Sequence, residues 1–285
     1  MARRTEVAQR PLRGGSAAGG EARPEALLEL ADVSLRFGGL SALVEVSFRL
    51  HESEVVALIG PNGAGKTSLF NCMCGYYRPD GGRIVWQGQN ITGLAPPQAA
   101  KLGIGRSFQN IELFKNLTCL DNLLLGRHLH FKAGLLSALF AAPAWRRDEV
   151  KQRRRVEELI DLLDLQAYRH QRVGTLPYGV QKLIEVARAL AVEPKLLLLD
   201  EPTAGMTVEE KDEMMYRLLA VRRELGLTLL VVEHDLRVVS RLAERIIVLD
   251  YGRLIADGSA SEVQRHPEVI RAYLGETKLT EGLAS

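Results

Sequence analysis

The chain has 285 residues, of which 46% are hydrophobic and 25% are charged, a composition typical of a globular protein with one sizeable domain. Its formal net charge of +2 argues against a dedicated nucleic-acid-binding protein, which would carry a larger basic excess. No apolar run reaches the roughly 20 residues that a membrane-spanning helix needs, so we expect any role at a membrane to depend on docking to another protein.

The two ends of the chain differ in composition from the middle. Residues 1–24 are rich in Arg, Gly and Ala and lack the apolar stretch of a secretory signal, so we predict a disordered tail. Residues 25–277 are predicted to form the folded domain, and residues 278–285 a C-terminal tail.

Short strands and unbroken apolar runs dominate the predicted core. Segments of alternating polarity within residues 28–50 predict antiparallel strands. The apolar run 55–59 is typical of a strand buried on both faces in a parallel sheet, and similar runs occur at residues 196–199, 227–232 and 246–249. Helical patterns at residues 180–192 and 208–225 separate the later runs, which indicates an α/β sheet with crossover helices.

A mainly helical segment is predicted between the early and late strands. Residues 110–172 contain no convincing strand, and helical patterns occur at residues 120–130 and 148–165. We therefore predict an inserted helical subdomain at about residues 110–180. Within this segment the apolar residues 133–140 and Trp145 either form part of its core or meet a membrane subunit or the lipid interface. The basic run that follows is either a solvated helix face or a contact for anionic lipid.

Three cysteines, Cys72, Cys74 and Cys119, lack the spacing of a metal or redox motif. Their odd number favours reduced thiols in the hydrophobic core.

A phosphate-binding loop directly follows the apolar run 55–59. Residues 60–67 match G-x-x-x-x-G-K-[ST], in which glycines let backbone N–H groups surround phosphate oxygens at the start of a helix. Lys66 can reach the β- and γ-phosphates, and the hydroxyl of Thr67 can bind Mg²⁺. The residues expected to contact the nucleotide here are Gly60, Pro61, Asn62, Gly63, Ala64, Gly65, Lys66, Thr67 and Ser68.

A pair of acids ends the apolar run 196–199. Asp200 is placed to hold a hydrated Mg²⁺, and Glu201 can orient and polarise an attacking water. Together with the phosphate loop, this pair predicts nucleotide binding, which many P-loop enzymes share.

Five further elements occur in the order found in ABC ATPases, which the chain resembles over about residues 28–275. They are Phe37, Phe108-Gln109, Leu176-Pro177-Tyr178-Gly179-Val180-Gln181, Ala204-Gly205-Met206-Thr207 and His234, and they resemble the adenine-stacking aromatic, Q-loop, signature, D-loop and switch histidine. The resemblance implies an α/β fold with a P-loop NTPase (RecA-like) core, an N-terminal antiparallel β subdomain and an inserted α-helical subdomain.

The resemblance also implies a mechanism in which two subunits face each other head to tail and enclose ATP. Phe37 would stack on adenine, and Pro177, Tyr178 and Gly179 would face the partner's nucleotide. Gln109 would join Thr67 and Asp200 around Mg²⁺ and sense the γ-phosphate. The implied catalytic residues are Glu201, His234 and Gln109.

The signature and D-loop depart from the family pattern. Pro177 replaces the usual serine, and Val180 stands where a glutamine is usual. Proline has neither a hydroxyl nor an N–H, and losing one donor to an anion costs about 1.5–3 kcal/mol. Either this subunit pairs with a different ATPase to give two unequal sites, or the proline is tolerated. Thr207 stands where Asp or Asn is common in the D-loop. This departure bears on the coupling between the two ATP sites more than on hydrolysis itself.

Residues 35–43, 110–118 and 266–275 resemble the ATPases of branched-chain (LIV-type) amino acid importers. The resemblance implies an ATP-hydrolysing subunit, bound peripherally at the cytoplasmic face of the membrane through permease subunits. Implied partners are ATP, a second ABC ATPase subunit (a heterodimer, with a homodimer still possible) and, indirectly, an extracytoplasmic solute-binding protein, with no nucleic acid. Transport of urea, amides or another small solute, and a soluble ABC ATPase unconnected with transport, remain alternatives.

Overall fold

The computed structural model describes residues 26–107, 112–130 and 143–273. The two predicted tails lie outside these ranges, as do Phe108, Gln109 and the apolar residues 133–140.

An antiparallel sheet of four strands begins the fold. Its strands are β1 (Leu28–Phe37), β2 (Leu40–Leu50), β4 (Gly81–Trp86) and β5 (Gln89–Asn90), in the order β2-β1-β4-β5. The sequence patterns predicted β1 and β2 but missed β4 and β5.

The second sheet is the α/β core. It contains β3 (Val55–Ile59), β6 (Ile104–Arg106), β7 (Leu196–Asp200), β8 (Thr228–Val232), β9 (Arg245–Asp250) and β10 (Arg253–Gly258), in the order β10-β9-β3-β8-β7-β6. All neighbouring pairs are parallel except β9 and β10. The predicted parallel core is therefore present, with β6 and the antiparallel edge strand β10 as additions.

The unbroken apolar runs follow from the position of the central strands between two hydrophobic clusters. Every residue of β3, β7 and β8 is buried. In β7, Leu197 and Leu199 pack into one cluster with the helical region, whereas Leu196 and Leu198 pack into another with the antiparallel sheet. Since alternate side chains point to opposite faces of a strand, both faces require apolar residues.

Within the described residues, eight α-helices with defined bounds surround the sheets. They are α1 (Lys66–Met73), α2 (Pro96–Lys101), α3 (Cys119–Gly126), α4 (Pro143–Leu162), α5 (Tyr178–Leu190), α6 (Val208–Leu225), α7 (Leu236–Leu242) and α8 (Ala260–Arg265). Residues 267–273 form a further helical segment. None of the helices in the described ranges combines the length and hydropathy needed to cross a bilayer.

Between β6 and β7 the described residues form helices joined by turns and loops, with an isolated β-bridge between Thr118 and Arg172. The helices α3, α4 and α5 contact one another there. This arrangement agrees with the predicted helical insertion, although the limits 110–180 stay a prediction.

The three thiols are free and buried, as predicted for core cysteines. Cys72 and Cys74 pack beneath the antiparallel sheet, and Cys119 packs in the helical region.

Candidate functional site

The phosphate loop connects β3 to α1 and depends on glycines with positive φ. Gly60 has φ +148° and Gly65 has φ +102°. A Cβ at Gly60 would lie 2.1 Å from the carbonyl oxygen of Leu249, and one at Gly65 would lie 2.5 Å from that of Ala42. Both positions therefore require glycine for the backbone angle and for the close approach of another strand.

Lys66 lies in the first turn of α1 and is buried against its own loop. Its Nζ donates to the carbonyl oxygens of Gly60 at 2.7 Å and Pro61 at 2.9 Å. The helix N-terminus and this ammonium together create positive potential inside the loop. Gly63 at the loop tip is exposed, and a Cβ there would meet no atom within 4 Å, so the loop is open to an approaching phosphate.

Asp200, at the carboxyl end of β7, is almost completely buried. Burial raises the pKa of its carboxyl group, and the nearby Arg106 guanidinium opposes that rise. Arg106 Nη2 lies 3.1 Å from Asp200 Oδ2 in an ion pair. Sequence reasoning missed Arg106, because a lone arginine at the end of a three-residue strand carries no motif.

Glu201 and His234 meet where the neighbouring strands β7 and β8 end. His234 Nε2 lies 2.7 Å from Glu201 Oε1. Glu201 adopts φ +51°, a left-handed conformation that is uncommon for a non-glycine residue. Its N–H donates to the carbonyl oxygen of Val232 at 2.9 Å, which anchors the turn to β8. The predicted base and switch histidine are therefore brought together.

Glu233 hydrogen-bonds the backbone of His234 and was missed by sequence reasoning. Its Oε1 accepts from the hydroxyl of Thr203 at 2.7 Å and from the Thr203 N–H at 3.1 Å. Its Oε2 accepts from the His234 N–H at 3.3 Å. Burial raises the pKa of Glu233, and the three hydrogen bonds oppose that rise. A buried acid directly after an apolar strand was the available signal for this residue.

The altered signature forms the beginning of α5. Pro177 is the N-cap residue, and Gln181 N donates to its carbonyl oxygen at 3.0 Å. The helix itself begins at Tyr178, so Pro177 stands just before its first turn. The N–H groups of Tyr178, Gly179 and Val180 have no acceptor within the helix by its geometry. The anion-binding capacity of this helix start is retained despite the proline.

The signature contacts the D-loop of the same chain. A Cβ at Gly205 would lie 3.2 Å from the Tyr178 ring, and a Cβ at Gly179 would lie 2.8 Å from Glu210 Oε1. A substitution at Gly205 would therefore crowd the Tyr178 ring of the signature, whereas one at Gly179 would meet only the end of the flexible Glu210 side chain in α6.

Thr207 caps α6. Its hydroxyl accepts from the Glu210 N–H at 3.3 Å, while Glu210 Oε2 accepts from the Thr207 N–H at 2.9 Å. This capping box explains the departure from Asp or Asn locally, since threonine serves the same N-cap role.

Phe37 ends β1 at the turn into β2, and it is 46% exposed. Its ring meets Tyr77 edge to face, with centroids 5.2 Å apart. The same hairpin reaches the phosphate loop at Ala42, which approaches Gly65. Phe37 thus offers an accessible aromatic face on the hairpin that borders the loop, and sequence reasoning missed Tyr77 beside it.

The residues at this site suit a nucleotide with a magnesium ion. Thr67 supplies a hydroxyl and Asp200 a carboxylate, both hard oxygen donors of the kind that Mg²⁺ prefers. Gln109, the third expected ligand, lies outside the described residues. Among the residues that the structure describes, no group of three or more His, Cys, Asp and Glu side chains could hold a metal.

Two family models match the chain. Residues 43–204 match the ABC transporter model, and residues 253–278 match the branched-chain amino acid ATP-binding cassette transporter model. The first match covers the phosphate loop, the signature and the acidic pair.

The chain is also similar to named proteins along nearly their whole length. It is 40% identical over 250 residues to the high-affinity branched-chain amino acid transport ATP-binding protein BraF of Pseudomonas aeruginosa, covering 88% of this chain and 98% of BraF. The corresponding protein LivG of Escherichia coli is 38% identical over the same coverage.

Solved structures agree with the fold. The ADP conformation of MJ1267, an ATP-binding cassette of an ABC transporter, matches with a TM-score of 0.77 and 30% identity, covering 88% of this chain and 99% of that one. A dimeric, post-hydrolysis cassette MJ0796 bound to ADP and Pi matches with a TM-score of 0.67 and 26% identity, covering 81% and 98%. The predicted fold class is thereby confirmed.

Proposed function

The chain belongs to the ABC transporter family as one of its ATP-binding cassettes, and we propose that its ATP hydrolysis powers an importer of branched-chain amino acids. The relatives named BraF and LivG support the solute class, because the similarity covers almost their entire length. The single structural observation that carries the hydrolytic role is the 2.7 Å contact between Glu201 and His234.

The chain's own residues divide the work of hydrolysis. The phosphate loop and Lys66 hold the β- and γ-phosphates, and Phe37 stacks on adenine. Glu201 orients a water and accepts its proton as the water oxygen attacks the γ-phosphorus and the bond to ADP breaks. His234 hydrogen-bonds the γ-phosphate and keeps Glu201 aligned.

Thr67, Asp200 and Gln109 would hold a magnesium ion. When bound, the ion supplies positive charge that neutralises the phosphate oxygens.

A second ATPase subunit is a proposed partner, because the signature and the phosphate loop lie on different elements of this chain. The signature residues Pro177, Tyr178 and Gly179 lie at the start of α5, while the phosphate loop precedes α1. In our proposal each ATP lies between the phosphate loop of one subunit and the signature of the other, and the similar cassette MJ0796 forms a dimer. Because Pro177 removes a hydroxyl from one of the two sites, we propose a heterodimer with unequal sites.

Membrane association is proposed to come from permease subunits, with an extracytoplasmic solute-binding protein acting through them. The test is reconstitution of the chain with its neighbouring permeases, partner ATPase and solute-binding protein in proteoliposomes. Leucine, isoleucine or valine should stimulate ATP hydrolysis and enter the vesicles. Stimulation by urea or short amides instead would reject the solute class, and Glu201→Gln complexes provide the transport-negative control.

A further inference from the structure

Arg106 joins the two elements that carry the expected magnesium ligands. Its Nη2 lies 3.1 Å from Asp200 Oδ2 on β7, and its Nη1 lies 2.5 Å from Asn71 Oδ1 on α1. The guanidinium also stands 5.6 Å from the centroid of the Phe70 ring. One side chain therefore contacts both the phosphate-loop helix and the strand that ends in the acidic pair.

The contact with Asn71 is relevant to Thr67 because of helix geometry. Asn71 follows Thr67 by four residues in α1, so the two side chains lie on the same face of the helix. Fixing Asn71 against Arg106 fixes the rotation of that face relative to Asp200.

Burial makes the link rigid and difficult to replace. The side chains of Arg106 and Asp200 are 7% and 3% exposed, respectively. Removing one partner of a buried pair leaves the other charge uncompensated. The planar guanidinium binds two acceptors in a fixed fork, which the single ammonium of lysine cannot reproduce.

We propose that Arg106 is a positioning residue that sets the spacing between Thr67 and Asp200 for the magnesium–ATP complex. The inference rests on the proposed function, because it concerns the same site. In this role Arg106 acts through Asn71 and Asp200 and supplies no metal ligand itself. From β6, its side chain connects α1, which carries Thr67, to β7, which carries Asp200.

Binding of Mn²⁺, a paramagnetic substitute for Mg²⁺, tests this role separately from turnover. Electron paramagnetic resonance measures Mn²⁺ affinity of the full chain with a non-hydrolysable ATP analogue. We expect Arg106→Met to weaken Mn²⁺ binding about 10-fold, the usual effect of losing an outer-shell partner. Fluorescent ATP binding in EDTA should be unchanged, because the phosphate loop is intact.

Two further variants separate positioning from folding. Asn71→Ala removes only the helix side of the link and should weaken Mn²⁺ binding in the same direction, with Arg106→Lys retaining part of the affinity. Arg127→Met is the matched control, since Arg127 is also buried but bonds Gln152 and the Ala191 carbonyl in the helical region. It should leave Mn²⁺ affinity unchanged.

The outcomes separate the two proposals. Wild-type Mn²⁺ affinity in Arg106→Met, or in Asn71→Ala if the first variant does not fold, would overturn the positioning role. An equal loss of ATP binding in EDTA would also overturn it and show a purely structural role. If the wild-type chain binds Mn²⁺ and ATP but its assembled complex does not hydrolyse ATP, the proposed function fails while the positioning role stands.

Discussion

His234 Nε2 lies 2.7 Å from Glu201 Oε1, although 33 residues separate them in the chain. The contact forms because β7 and β8 are parallel neighbours, so both residues emerge at the same edge of the sheet. The Glu233 carboxylate accepts hydrogen bonds from the backbone N–H groups of His234 and Thr203.

This pair predicts a loss of turnover without loss of binding. Glu201→Gln should lower the steady-state ATPase rate about 10²–10⁴-fold because it removes the general base. His234→Ala should also lower the rate, and the double variant should lose little more than the worse single variant, since the residues act as a unit. Phosphate release and fluorescent ATP binding measure the two effects, and undiminished turnover in Glu201→Gln would disprove the assigned base.

Pro177→Ser should raise the ATPase activity of the assembled complex. A serine restores a hydroxyl donor toward the partner's nucleotide, and one hydrogen bond to a charged group corresponds to an increase of about 10-fold or more. Pro177→Ala is the control, because it restores the N–H without the hydroxyl. Equal activity of Pro177→Ser and wild type would remove the weak-site hypothesis.

The phosphate-loop glycines should differ in their contribution to stability. Gly63→Ala meets open space, so its cost is limited to the left-handed backbone angle, about 1–2 kcal/mol. Gly60→Ala adds a contact of 2.1 Å with the Leu249 carbonyl oxygen and should lower the free energy of unfolding by more. Urea denaturation monitored by circular dichroism compares the two, and an equal or smaller loss for Gly60→Ala would contradict the loop geometry.

Thr207 should be replaceable by aspartate but not by alanine. Thr207→Ala removes the N-cap of α6 and should lower the free energy of unfolding by about 1 kcal/mol. Thr207→Asp keeps an oxygen acceptor for the Glu210 N–H and should retain wild-type stability. Thermal and urea unfolding measure both, and the same loss in the two variants would show that the cap contributes nothing.

The cysteines should react only after unfolding. Burial raises the pKa of Cys72 to about 12 and those of Cys74 and Cys119 to about 11, so the reactive thiolate is scarce at pH 8. A thiol reagent should modify almost none of the 3 cysteines in native protein and all of them in guanidinium chloride. Rapid labelling of native protein at pH 8 would contradict their burial.

The site residues predictable from sequence are those in short motifs or at strand ends. The phosphate loop at residues 60–67 places its glycines and Lys66 within one turn, so local spacing alone reveals their purpose. Asp200 and Glu201 directly follow an apolar run, and parallel strands place such ends together. The same periodicity predicted the α/β core, with its helices at α5 and α6.

The residues that sequence reasoning missed act through contacts between distant parts of the chain. Arg106 and Asp200 are 94 residues apart, and β6, with three residues, is too short to give a clear alternating pattern. Glu233 has no motif in the sequence, and its role becomes evident only from its hydrogen bonds with Thr203 in the folded chain. Thr207 departs from the acidic residue or asparagine common in the D-loop, and only the structure shows that its side chain caps α6.

The sequence by itself determined the chemistry of the nucleotide site, because phosphate binding needs a contiguous loop of backbone N–H groups and one lysine. Only the tertiary structure decided how Thr67 and Asp200, which lie on separate elements, are positioned relative to each other. Their relative position depends on buried side chains such as Arg106. Packing between α1, β6 and β7 brings its partners Asn71 and Asp200 within hydrogen-bond distance. Side-chain contacts of this kind depend on the relative placement of whole elements, which no local pattern of residues specifies.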